Sequence, residues 1–372
     1  MGSFNKKRTL IFLLIFCFYK CHSQVKDFLF KSPEGKYLIS TDLHIHTVFS
    51  DGSVWPDIRV YEAEKELIDL IAITDHLEYQ PHAEDIPNPD RNRSFEIALS
   101  HKGKGSNVRI INGAEITRSM APGHINAVFI KDANKLLHKD SLSGILEANK
   151  QNAFVFWNHP NWVSQRKDGI AKLDPFHRYL IRNKLLHGIE VVNEHTFSEE
   201  AFDLAIENNL TILGTSDIHG LTEWSYNIGD GGHRPITFVI SNSDSIEDIK
   251  NSLFNKQTFI WFKDLLIGSE ENLVPVIYSN MEVISNGYLK NTILAEFIIK
   301  NKSSVVIKLE YTGEFNLHEN SRMIEIQPKS SKNILIKTKT IKKHIKLPFK
   351  VLNAFVDSKR NAEVSYDVSI EK

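Results

Sequence analysis

Two histidines follow the first apolar run of the chain and have the spacing of a metal-binding pair. His44 and His46 come directly after residues 37–40, which are typical of a buried strand. On a strand, residues i and i+2 point to the same face and lie about 7 Å apart at the backbone, so both imidazoles can reach one cation. Imidazole is a ligand that suits zinc, iron and manganese. Two unrelated polar residues at a strand end would look the same, so the interpretation depends on the rest of the chain.

Further histidines and acids stand where other apolar runs of the sequence end or begin. They are Asp51 in the turn after the pair, Asp75 with His76, Glu115, His124, His159, and Asp217 with His219. In a parallel α/β barrel these positions share one end, which is where such barrels build their active sites. Any one of these residues alone would more often be a helix cap or a buried histidine satisfied by hydrogen bonds. Six strand ends that all carry them indicate a metal centre.

The elements that must position these residues alternate between two patterns from residue 35 to about residue 262. Apolar runs that predict strands lie at residues 37–40, 68–73, 108–111, 125–130, 154–157, 188–192, 210–213 and 236–240. Between them, residues 56–67, 141–151 and 198–209 carry apolar positions at helical spacing. Near-continuous apolar strands that alternate with helices imply a parallel sheet covered on both faces. Seven or eight such units in roughly 230 residues favour a closed barrel over an open sheet.

Together these motifs resemble the signature of the PHP (polymerase and histidinol phosphatase) family. The resemblance covers about residues 36–262 and rests on Asp42-Leu43-His44-Ile45-His46, Ser50-Asp51-Gly52, Thr74-Asp75-His76, Glu115, His124, Asn158-His159-Pro160 and Asp217-Ile218-His219. It implies a distorted seven-unit β/α barrel, a (β/α)7 fold, with two to three divalent metal ions and phosphoesterase activity. By the same resemblance, the ligands are His44, His46, Glu115 and Asp217 for one ion, Glu115, His124 and His159 for a second, and Asp51, His76 and His219 for a third.

The ligand types define the chemistry. Carboxylates mixed with imidazoles suit Mn²⁺, Zn²⁺ or Fe²⁺. Two such ions about 3.5–4 Å apart can lower the pKa of a shared water and clamp both oxygens of an in-line displacement at phosphorus. Asp75 could orient a ligand or relay a proton, or it could be a structural cap. Arg118 and Arg234 are the best-placed candidates to bind the phosphate oxygens of a substrate.

From about residue 271 the pattern changes to strands separated by turn residues. The predicted strands are 274–278, 292–300, 304–311, 323–326, 333–337 and 349–357. This spacing is typical of a small all-β sandwich, which we interpret as a packing, binding or attachment module. The predicted organisation is therefore a barrel at residues 24–270 and a sandwich-like domain at residues 271–372.

Residues 1–23 have the composition of a signal peptide. Three basic residues precede a short apolar run, and small or polar residues follow up to Ser23. The run is too short to span a bilayer, so we expect a protein that is periplasmic or secreted and has no transmembrane span after signal removal, although an uncleaved anchor is an alternative. Both cysteines lie in this segment, so the mature chain would have no disulfides.

The charge distribution bears on the partner of the barrel. Residues 271–372 carry 16 Lys and Arg against 11 Asp and Glu, and residues 1–23 add four positive charges, which leaves a net charge of −10 for residues 24–270. An acidic domain argues against binding to long nucleic acid, which is driven by phosphate neutralisation, and favours a small phosphorylated substrate. The oligomeric state is left open.

The sequence thus predicts an exported metal-dependent phosphoesterase that hydrolyses a phosphomonoester or small phosphodiester through a metal-activated water. A nuclease of the same family is one alternative, against which the export signal and the acidic barrel count. A catalytically silent metal-binding module, with the β domain making the contacts, is the other. The complete ligand set counts against it.

Overall fold

A computed structural model of the chain describes residues 29–101, 106–319 and 321–370. Two compact units are present. One comprises Gly35–Pro275 with Lys350–Glu363 and is an α/β unit, and the other comprises the remaining described residues and is predominantly β. The predicted signal peptide, residues 1–23, lies outside the described residues. Within the described ranges, no helix combines the length and the apolar content needed to cross a bilayer.

The α/β unit alternates strands and helices as its sequence predicts. Its strands are β1 (Tyr37–Asp42), β2 (Leu70–Ile73), β3 (Arg109–Ile116), β4 (Ile125–Val128), β5 (Phe154–Trp157), β6 (Gly188–Asn193), β7 (Thr196–Phe197), β8 (Thr211–Thr215), β9 (Ile236–Ser241), β10 (Thr258–Phe262) and β11 (Leu265–Gly268). Its helices are α1 (Pro56–Lys65), α2 (Arg93–Ser100), α3 (Ser141–Lys150), α4 (Pro175–Arg182), α5 (Glu199–Glu207), α6 (Thr222–Tyr226) and α7 (Ile246–Phe254), followed by α8 (Glu270–Asn280) at its end.

The sheet of the α/β unit has the strand order β11-β10-β9-β1-β2-β3-β4-β5-β6-β8. The pairs β1–β2, β2–β3, β5–β6 and β6–β8 are parallel, which confirms an α/β barrel-type arrangement. The sheet is not wholly parallel, however, because β4 pairs antiparallel with both β3 and β5, and β9 pairs antiparallel with β1. The connection from β3 to β4 is too short for the crossover that a parallel neighbour needs.

A close approach between strands brings β8 back against β9 and β10. Gly214 on β8 lies so near β10 that a Cβ there would come within 2.5 Å of Ile260, so only glycine fits. On the other side, the Thr237 hydroxyl of β9 accepts from the Gly214 N–H at 2.8 Å and donates to the Gly214 carbonyl at 2.7 Å. The Thr258 hydroxyl of β10 also donates to the Ile212 carbonyl of β8 at 2.8 Å. Side-chain hydroxyls therefore link β8 to β9 and β10 at this seam, as expected where a distorted barrel closes.

Local sequence signals set the ends of several helices. The side chains of Asp140, Ser198 and Ser245 cap α3, α5 and α7 by accepting from backbone N–H groups in the first turn. At the start of α4, His177 takes part in a capping box with Asp174.

His177 is held in one neutral form. Its Nδ1 accepts from the Asp174 N–H at 3.1 Å, so its Nε2 must be the donor to the Pro122 carbonyl at 2.7 Å. The ring is fully buried and stacks on Trp157, with 3.9 Å between ring centroids. Burial lowers the pKa of His177 to about 4.

The second unit has the sandwich character that the sequence predicts. Its strands are β12 (Met281–Tyr288), β13 (Leu294–Asn301), β14 (Ile307–Tyr311), β15 (Asn316–His318), β16 (Met323–Ile326) and β17 (Ser331–Lys337), together with the part of β18 (His344–Phe355) before Lys350 and the part of β19 (Asn361–Ser369) from Val364 onward. One sheet has the antiparallel strand order β12-β13-β17-β15. The strands that do not belong to this sheet are β14, β16, β18 and β19. Burial alternates along β13 and β16, as expected for strands with one face on a core.

One strand prediction is wrong. Residues 274–278 lie inside helix α8, not in a strand. Leu273, Val276 and Ile277 are buried at the i, i+3, i+4 spacing of a helix face. The β-branched composition of this segment and Pro275 within it masked that period in the sequence.

Candidate metal centre

A backbone bridge joins the His44/His46 pair to the Asp217/His219 pair. Ile45 pairs with Ile218 in parallel, and the His46 N–H donates to the Ile218 carbonyl at 3.1 Å. Because alternate residues of an extended segment share a face, this register brings the side chains flanking Ile45 next to those flanking Ile218. The i, i+2 pairs that the sequence analysis noted separately therefore form one cluster.

A tight turn places Asp51 beside that cluster, and Asp75 holds the turn. The Asp75 carboxylate accepts from the Thr47 N–H at 2.7 Å, the Thr47 hydroxyl at 2.7 Å and the Ser50 hydroxyl at 2.6 Å. A Cβ on Gly52 would come within 2.7 Å of the Thr47 nitrogen, so the turn requires glycine. These contacts give Asp75 a structural role in the turn, and its roles in orienting a ligand or relaying a proton stay predictions.

Glu115 lies at the centre of the cluster, near the end of β3. His76 forms a parallel bridge with it, which sets the two residues side by side. His124 stands directly before β4, and because β4 runs antiparallel to β3, the start of β4 meets the end of β3. His159 follows β5, which reaches the same end of the barrel.

Four of the predicted ligands have atoms spaced as around a single ion. The His44 Nε2 lies 3.0 Å from the His46 Nε2 and 3.1 Å from the Asp217 Oδ1. The His46 Nε2 lies 3.0 Å from the same Asp217 oxygen, and the Glu115 Oε2 lies 3.5 Å and 3.4 Å from the two imidazole nitrogens. Ligand atoms bound at about 2.0–2.1 Å to one zinc-sized ion are themselves separated by roughly 3.0–3.4 Å. The Asp217 oxygen and the Glu115 oxygen therefore each lie at about ligand-to-ligand distance from both imidazole nitrogens.

A second group shares Glu115. The Glu115 Oε1 lies 2.7 Å from the His124 Nδ1 and 3.6 Å from the His159 Nε2. The same oxygen accepts from the Asn158 Nδ2 at 2.9 Å, which fixes the carboxylate. Glu115 thus has one oxygen in each group, as a bridging carboxylate requires.

The third predicted group is more open to solvent. The Asp51 Oδ1 lies 3.2 Å from the His219 Nε2, and the Asp51 Oδ2 lies 3.3 Å from the His76 Nε2. The side chain of His219 is 35% exposed and that of Asp51 is 23% exposed, whereas those of His44 and His46 are fully buried. The cluster therefore opens to solvent on the side of the third group.

Atoms without hydrogen bonds at this cluster test whether it suits a metal. The Glu115 Oε2, the Asp51 Oδ1 and the His124 Nδ1 are buried and make no hydrogen bond of acceptable geometry with any described residue. Each nevertheless has an opposite partner within 4 Å. Close approach without hydrogen-bond geometry is expected where lone pairs point at a common position and not at each other. The donor set fits divalent cations, and three subsets of it gather within 4.8 Å.

The carboxylates of the cluster create a demand for positive charge. Burial alone would lower the pKa of both His44 and His76. Nearby carboxylates outweigh burial: Asp217 foremost raises the pKa of His44 well above its usual value, and Glu115 foremost raises the pKa of His76 to about 10. Burial alone would likewise raise the pKa of Glu115, but the imidazoles of His76 and His124 hold it well below its usual range. A divalent cation satisfies the same demand with neutral imidazoles, so metal binding would release protons.

Arg59 on α1 fastens the two histidine segments from behind and is fully buried. Its Nε, Nη1 and Nη2 all donate. The acceptors are the carbonyl oxygens of His46, Ile218, His219 and Gly220 and the carboxylate of Glu62, at 2.7–3.1 Å. A guanidinium thus fixes both chain segments that carry the i, i+2 pairs.

The structure corrects the substrate-binding prediction for Arg234. Its guanidinium is fully buried, donating to Asp42 at 2.9 Å and to Glu66 at 2.8 and 2.9 Å, so it has no surface to offer a phosphate. Asp42 in turn accepts from the Ser216 N–H at 3.1 Å. Arg234 therefore ties the segment before Asp217 to β1.

Arg118 lies at the edge of the site and is already paired. Its Nη2 lies 2.7 Å from Glu78 and donates to the His138 carbonyl at 2.6 Å, while its Nε makes no hydrogen bond with any described residue. The Nη1 donates to the Thr117 carbonyl at 3.2 Å, and the Nε is buried. A phosphate oxygen would therefore have to compete with these existing partners of Arg118. The substrate-binding role of Arg118 stays a prediction.

Two aromatic side chains flank the cluster at the surface. Trp162 is 43% exposed, and its ring centroid lies 5.6 Å from that of His124 and 5.2 Å from that of His159. Tyr79 is exposed as well, 5.7 Å from His76. Together they form an apolar margin on which the organic part of a small substrate could pack.

Two residues of this site do not follow from the motifs. Glu190 on β6 is 1% exposed and bonds to His44 and to the His159 backbone, and Arg59 fastens the histidine segments. A carboxylate in the middle of the apolar run 188–192 is a signal that sequence reasoning could have used. The sequence carries no such signal for Arg59, which lies on an amphipathic helix.

Comparisons with known proteins give the fold and family of similar chains. The chain resembles a solved two-domain protein from Bacteroides vulgatus ATCC 8482 that contains a predicted PHP-like metal-dependent phosphoesterase, with 36% identity, a TM-score of 0.85, and coverage of 93% of this chain and 99% of that one. Residues 281–367 match a family model described as an Ig-like domain, DUF5001. No curated protein matches the chain.

Two further solved structures are less similar. PsfC from Pseudomonas syringae PB-5123 has 18% identity and a TM-score of 0.43 over 65% of this chain and 96% of that one. An amidohydrolase from Chromobacterium violaceum with bound sulfate has 15% identity and a TM-score of 0.36 over 49% of this chain and 88% of that one. At TM-scores below 0.5, neither likeness bears on the fold or the function of this chain.

Proposed function

This chain belongs to the PHP-like metal-dependent phosphoesterases, and we propose that it is an exported enzyme that hydrolyses a phosphomonoester or small phosphodiester at the cluster described above. The observation that carries the proposal is the convergence of nine imidazole and carboxylate side chains, some of whose buried atoms have no hydrogen bond among the described residues. Seven of them form groups whose ligand atoms lie within 4.8 Å of one another, while His159 approaches Glu115 at 3.6 Å and Asp217 approaches His46 at 3.0 Å. The nine side chains are His44, His46, Asp51, His76, Glu115, His124, His159, Asp217 and His219.

We assign the nine residues to two or three divalent ions, Mn²⁺, Zn²⁺ or Fe²⁺. The first ion takes His44, His46, Glu115 and Asp217, the second takes Glu115, His124 and His159, and the third takes Asp51, His76 and His219. Contacts of 2.7–3.6 Å occur within each group. The groups also touch each other, since the His76 Nδ1 lies 2.8 Å from the Glu115 Oε2, so the division itself follows the family resemblance. When bound, such ions supply an activated water and neutralise the charge of the phosphoryl group.

The protein's own side chains hold this arrangement in place. Asn158 fixes the bridging Glu115, and Asp75 fixes the turn that carries Asp51. Thr117 accepts or donates at the His76 Nδ1, 2.6 Å away, and so limits the rotation of that ring. Groups held before substrate arrives need no reorganisation during the reaction.

The opening of the cluster supports a small substrate. The third group is the exposed one, and Trp162 and Tyr79 lie beside the cluster. Residues 24–270 have a net charge of −10, which disfavours a long polyanion unless metals offset it. We therefore infer a compact phosphate ester with an organic group that packs on the aromatic margin.

Export is part of the proposal and rests on the composition of residues 1–23. Protein recovered from the periplasm or medium of an expressing cell should begin at or near Gln24. Recovery of the uncleaved chain in the cytoplasm would contradict export and leave the chemistry unaffected.

The activity is tested on the purified mature protein, loaded with Mn²⁺ or Zn²⁺. We expect hydrolysis of p-nitrophenyl phosphate or bis-p-nitrophenyl phosphate, and no cleavage of single-stranded DNA. Asp217→Asn should lose activity by several orders of magnitude together with bound metal, while Asp230→Asn, which changes an exposed carboxylate, should retain both. Cleavage confined to DNA would favour a nuclease. No turnover with full metal content would favour a silent metal-binding module.

A further inference from the structure

Glu190 is a buried carboxylate that the nine-ligand assignment does not use. It lies in the middle of β6 and is 1% exposed. Among the described residues, no Lys or Arg forms an ion pair with it. A buried charge of this kind must be stabilised by hydrogen bonds, or it would cost several kcal/mol.

Four donors surround the Glu190 carboxylate, two on each oxygen. The Oε1 lies 2.7 Å from the His44 Nδ1 and accepts from the Thr215 hydroxyl at 2.7 Å. The Oε2 accepts from the His159 N–H at 2.6 Å and from the Asn193 Nδ2 at 2.9 Å. These contacts use the four lone-pair sites of an ionised carboxylate.

This arrangement decides which nitrogen of His44 carries the proton. If the proton were on the Nε2, two acceptors, the His44 Nδ1 and the Glu190 Oε1, would face each other at 2.7 Å. With the proton on the Nδ1, the ring donates to Glu190, and the Nε2 lone pair points to the Asp217 Oδ1 at 3.1 Å. A neutral imidazole has only one proton, so this is the tautomer that can bind a metal through the Nε2.

The same carboxylate also holds the backbone of His159. His159 has a φ of 25°, a conformation that a residue with a Cβ rarely adopts. Its N–H is bonded to the Glu190 Oε2, which helps to keep the residue in that strained conformation. In the assignment above, His44 and His159 bind different ions, so Glu190 contacts a ligand of each of two ions.

We propose that Glu190 is a positioning residue of the metal centre, which fixes the His44 tautomer for coordination and holds the His159 backbone in place. The inference rests on the proposed function, because it takes these imidazoles to be metal ligands. A hydrogen bond from the non-coordinating nitrogen of a histidine ligand orients the ring and raises its basicity. Loss of such a partner typically lowers metal affinity about 10–100-fold.

Glu190→Gln is the informative substitution because it keeps the shape and changes one oxygen into an N–H donor. Turned toward the Oε2 side, the new amide meets two fixed donors, the His159 N–H and the Asn193 amide. Turned toward the Oε1 side, it meets the Thr215 hydroxyl, which can rotate, and the His44 Nδ1, which can accept if its proton moves to the Nε2. The second orientation costs less, so His44 should change tautomer.

The experiment compares the parent, E190Q and E207Q, which changes an exposed glutamate at the end of α5. Metal dissociation constants are measured for Zn²⁺ and Mn²⁺, and thermal midpoints are measured on metal-free protein. Imidazole ¹⁵N chemical shifts are recorded on the metal-free protein over a pH series, with the His44 signal identified by its loss in His44→Asn. The tautomer is read at the high-pH end of the series, where the His44 ring has lost its second proton. We expect E190Q to bind metal about 10–100-fold more weakly, with the His44 proton on the Nε2, while E207Q matches the parent.

An E190Q protein with the parent's metal affinity and the parent's His44 tautomer would overturn the proposal. If E190Q does not fold, the tautomer of the parent still decides, since a neutral His44 ring that carries its one proton on the Nε2 in the parent would refute the inference. A parent that binds no metal would contradict the proposed function. The tautomer would then still decide whether Glu190 sets the protonation of His44.

Discussion

Replacement of Arg59 by methionine should destabilise the barrel strongly, although Arg59 contacts none of the predicted ligand side chains. Methionine fills much of the same volume and donates no hydrogen bonds. Two of the four carbonyls keep another donor, since the Ile218 carbonyl also accepts from the His46 N–H at 3.1 Å and the His219 carbonyl from the Ser53 N–H at 2.8 Å. The carbonyls of His46 and Gly220 have no other donor among the described residues.

The expected size of the effect follows from those two groups. A buried polar group left without a partner costs about 1–3 kcal/mol. His46 is fully buried, whereas Gly220 is only partly buried and its carbonyl can be reached by water, so the two carbonyls together cost about 3 kcal/mol. The Glu62 carboxylate, left without its guanidinium, adds to this, although it keeps the Thr222 N–H as a donor. For a domain of this size, each kcal/mol shifts the thermal midpoint by about 3 °C, so we expect a fall of roughly 9 °C.

The assay is thermal unfolding of the metal-free protein, followed by circular dichroism, for Arg59→Met, Arg59→Lys and a control. Lysine has three donors on a single atom and cannot reach acceptors on both segments, so Arg59→Lys should fall between the parent and Arg59→Met. Arg93→Met is the matched control because its side chain is 57% exposed and contacts only Glu96, 3.6 Å away, among the ion pairs of the described residues. An Arg59→Met midpoint within about 2 °C of the control would refute the reasoning.

Two other predictions concern pH and substrate. The pKa of His177 is about 4 in the folded protein and 6.5 in the unfolded chain, so the unfolded chain binds more protons between those pH values. The contribution of neutral His177 to the free energy of unfolding is therefore present above pH 6.5 and is lost as pH falls toward 4. His177→Gln can still accept from Asp174 and donate to Pro122, so its unfolding free energy should fall less than the parent's over that range, by roughly 3 kcal/mol; parallel curves would contradict this. Trp162→Ala should raise KM for aryl phosphates about tenfold with kcat nearly unchanged, because the substrate would lose an aromatic surface to pack on. Trp224 is 74% exposed and lies outside the cluster, so Trp224→Ala should change neither KM nor kcat. A fall in kcat alone for Trp162→Ala would exclude a packing role.

Most of the barrel was predictable because its signals are local. Apolar runs such as residues 154–157 predicted strands that the structure has in the same place, and helices α3 and α5 start at capping residues visible in the sequence. The direction of β4 was not predictable from its composition, because an apolar run reads alike in parallel and antiparallel strands. That direction is what brings His124 beside Glu115.

The sequence reasoning failed where a side chain's role depends on distant partners. Arg234 follows a Gly-Gly-His turn and looked available to a substrate, but Asp42 and Glu66 occupy its guanidinium from positions more than 160 residues earlier. Glu190 and Arg59 act through backbone groups and ring nitrogens that no spacing rule reveals. The helix at 270–280 was misread because its Val, Ile and Tyr residues favour strands, while its burial on one face follows a helical period.

The bridge between Ile45 and Ile218 joins the start of the barrel to a point more than 170 residues later. A ribosome must therefore have released nearly the whole α/β unit before the first proposed ion can acquire all of its ligands. Fragments that end before residue 217 would present only loosely held imidazoles, with weak and unselective affinity for cations. Tight metal binding would thus indicate a fully synthesised and closed barrel. Cleavage of the chain anywhere between these bridge residues should release metal before the barrel unfolds.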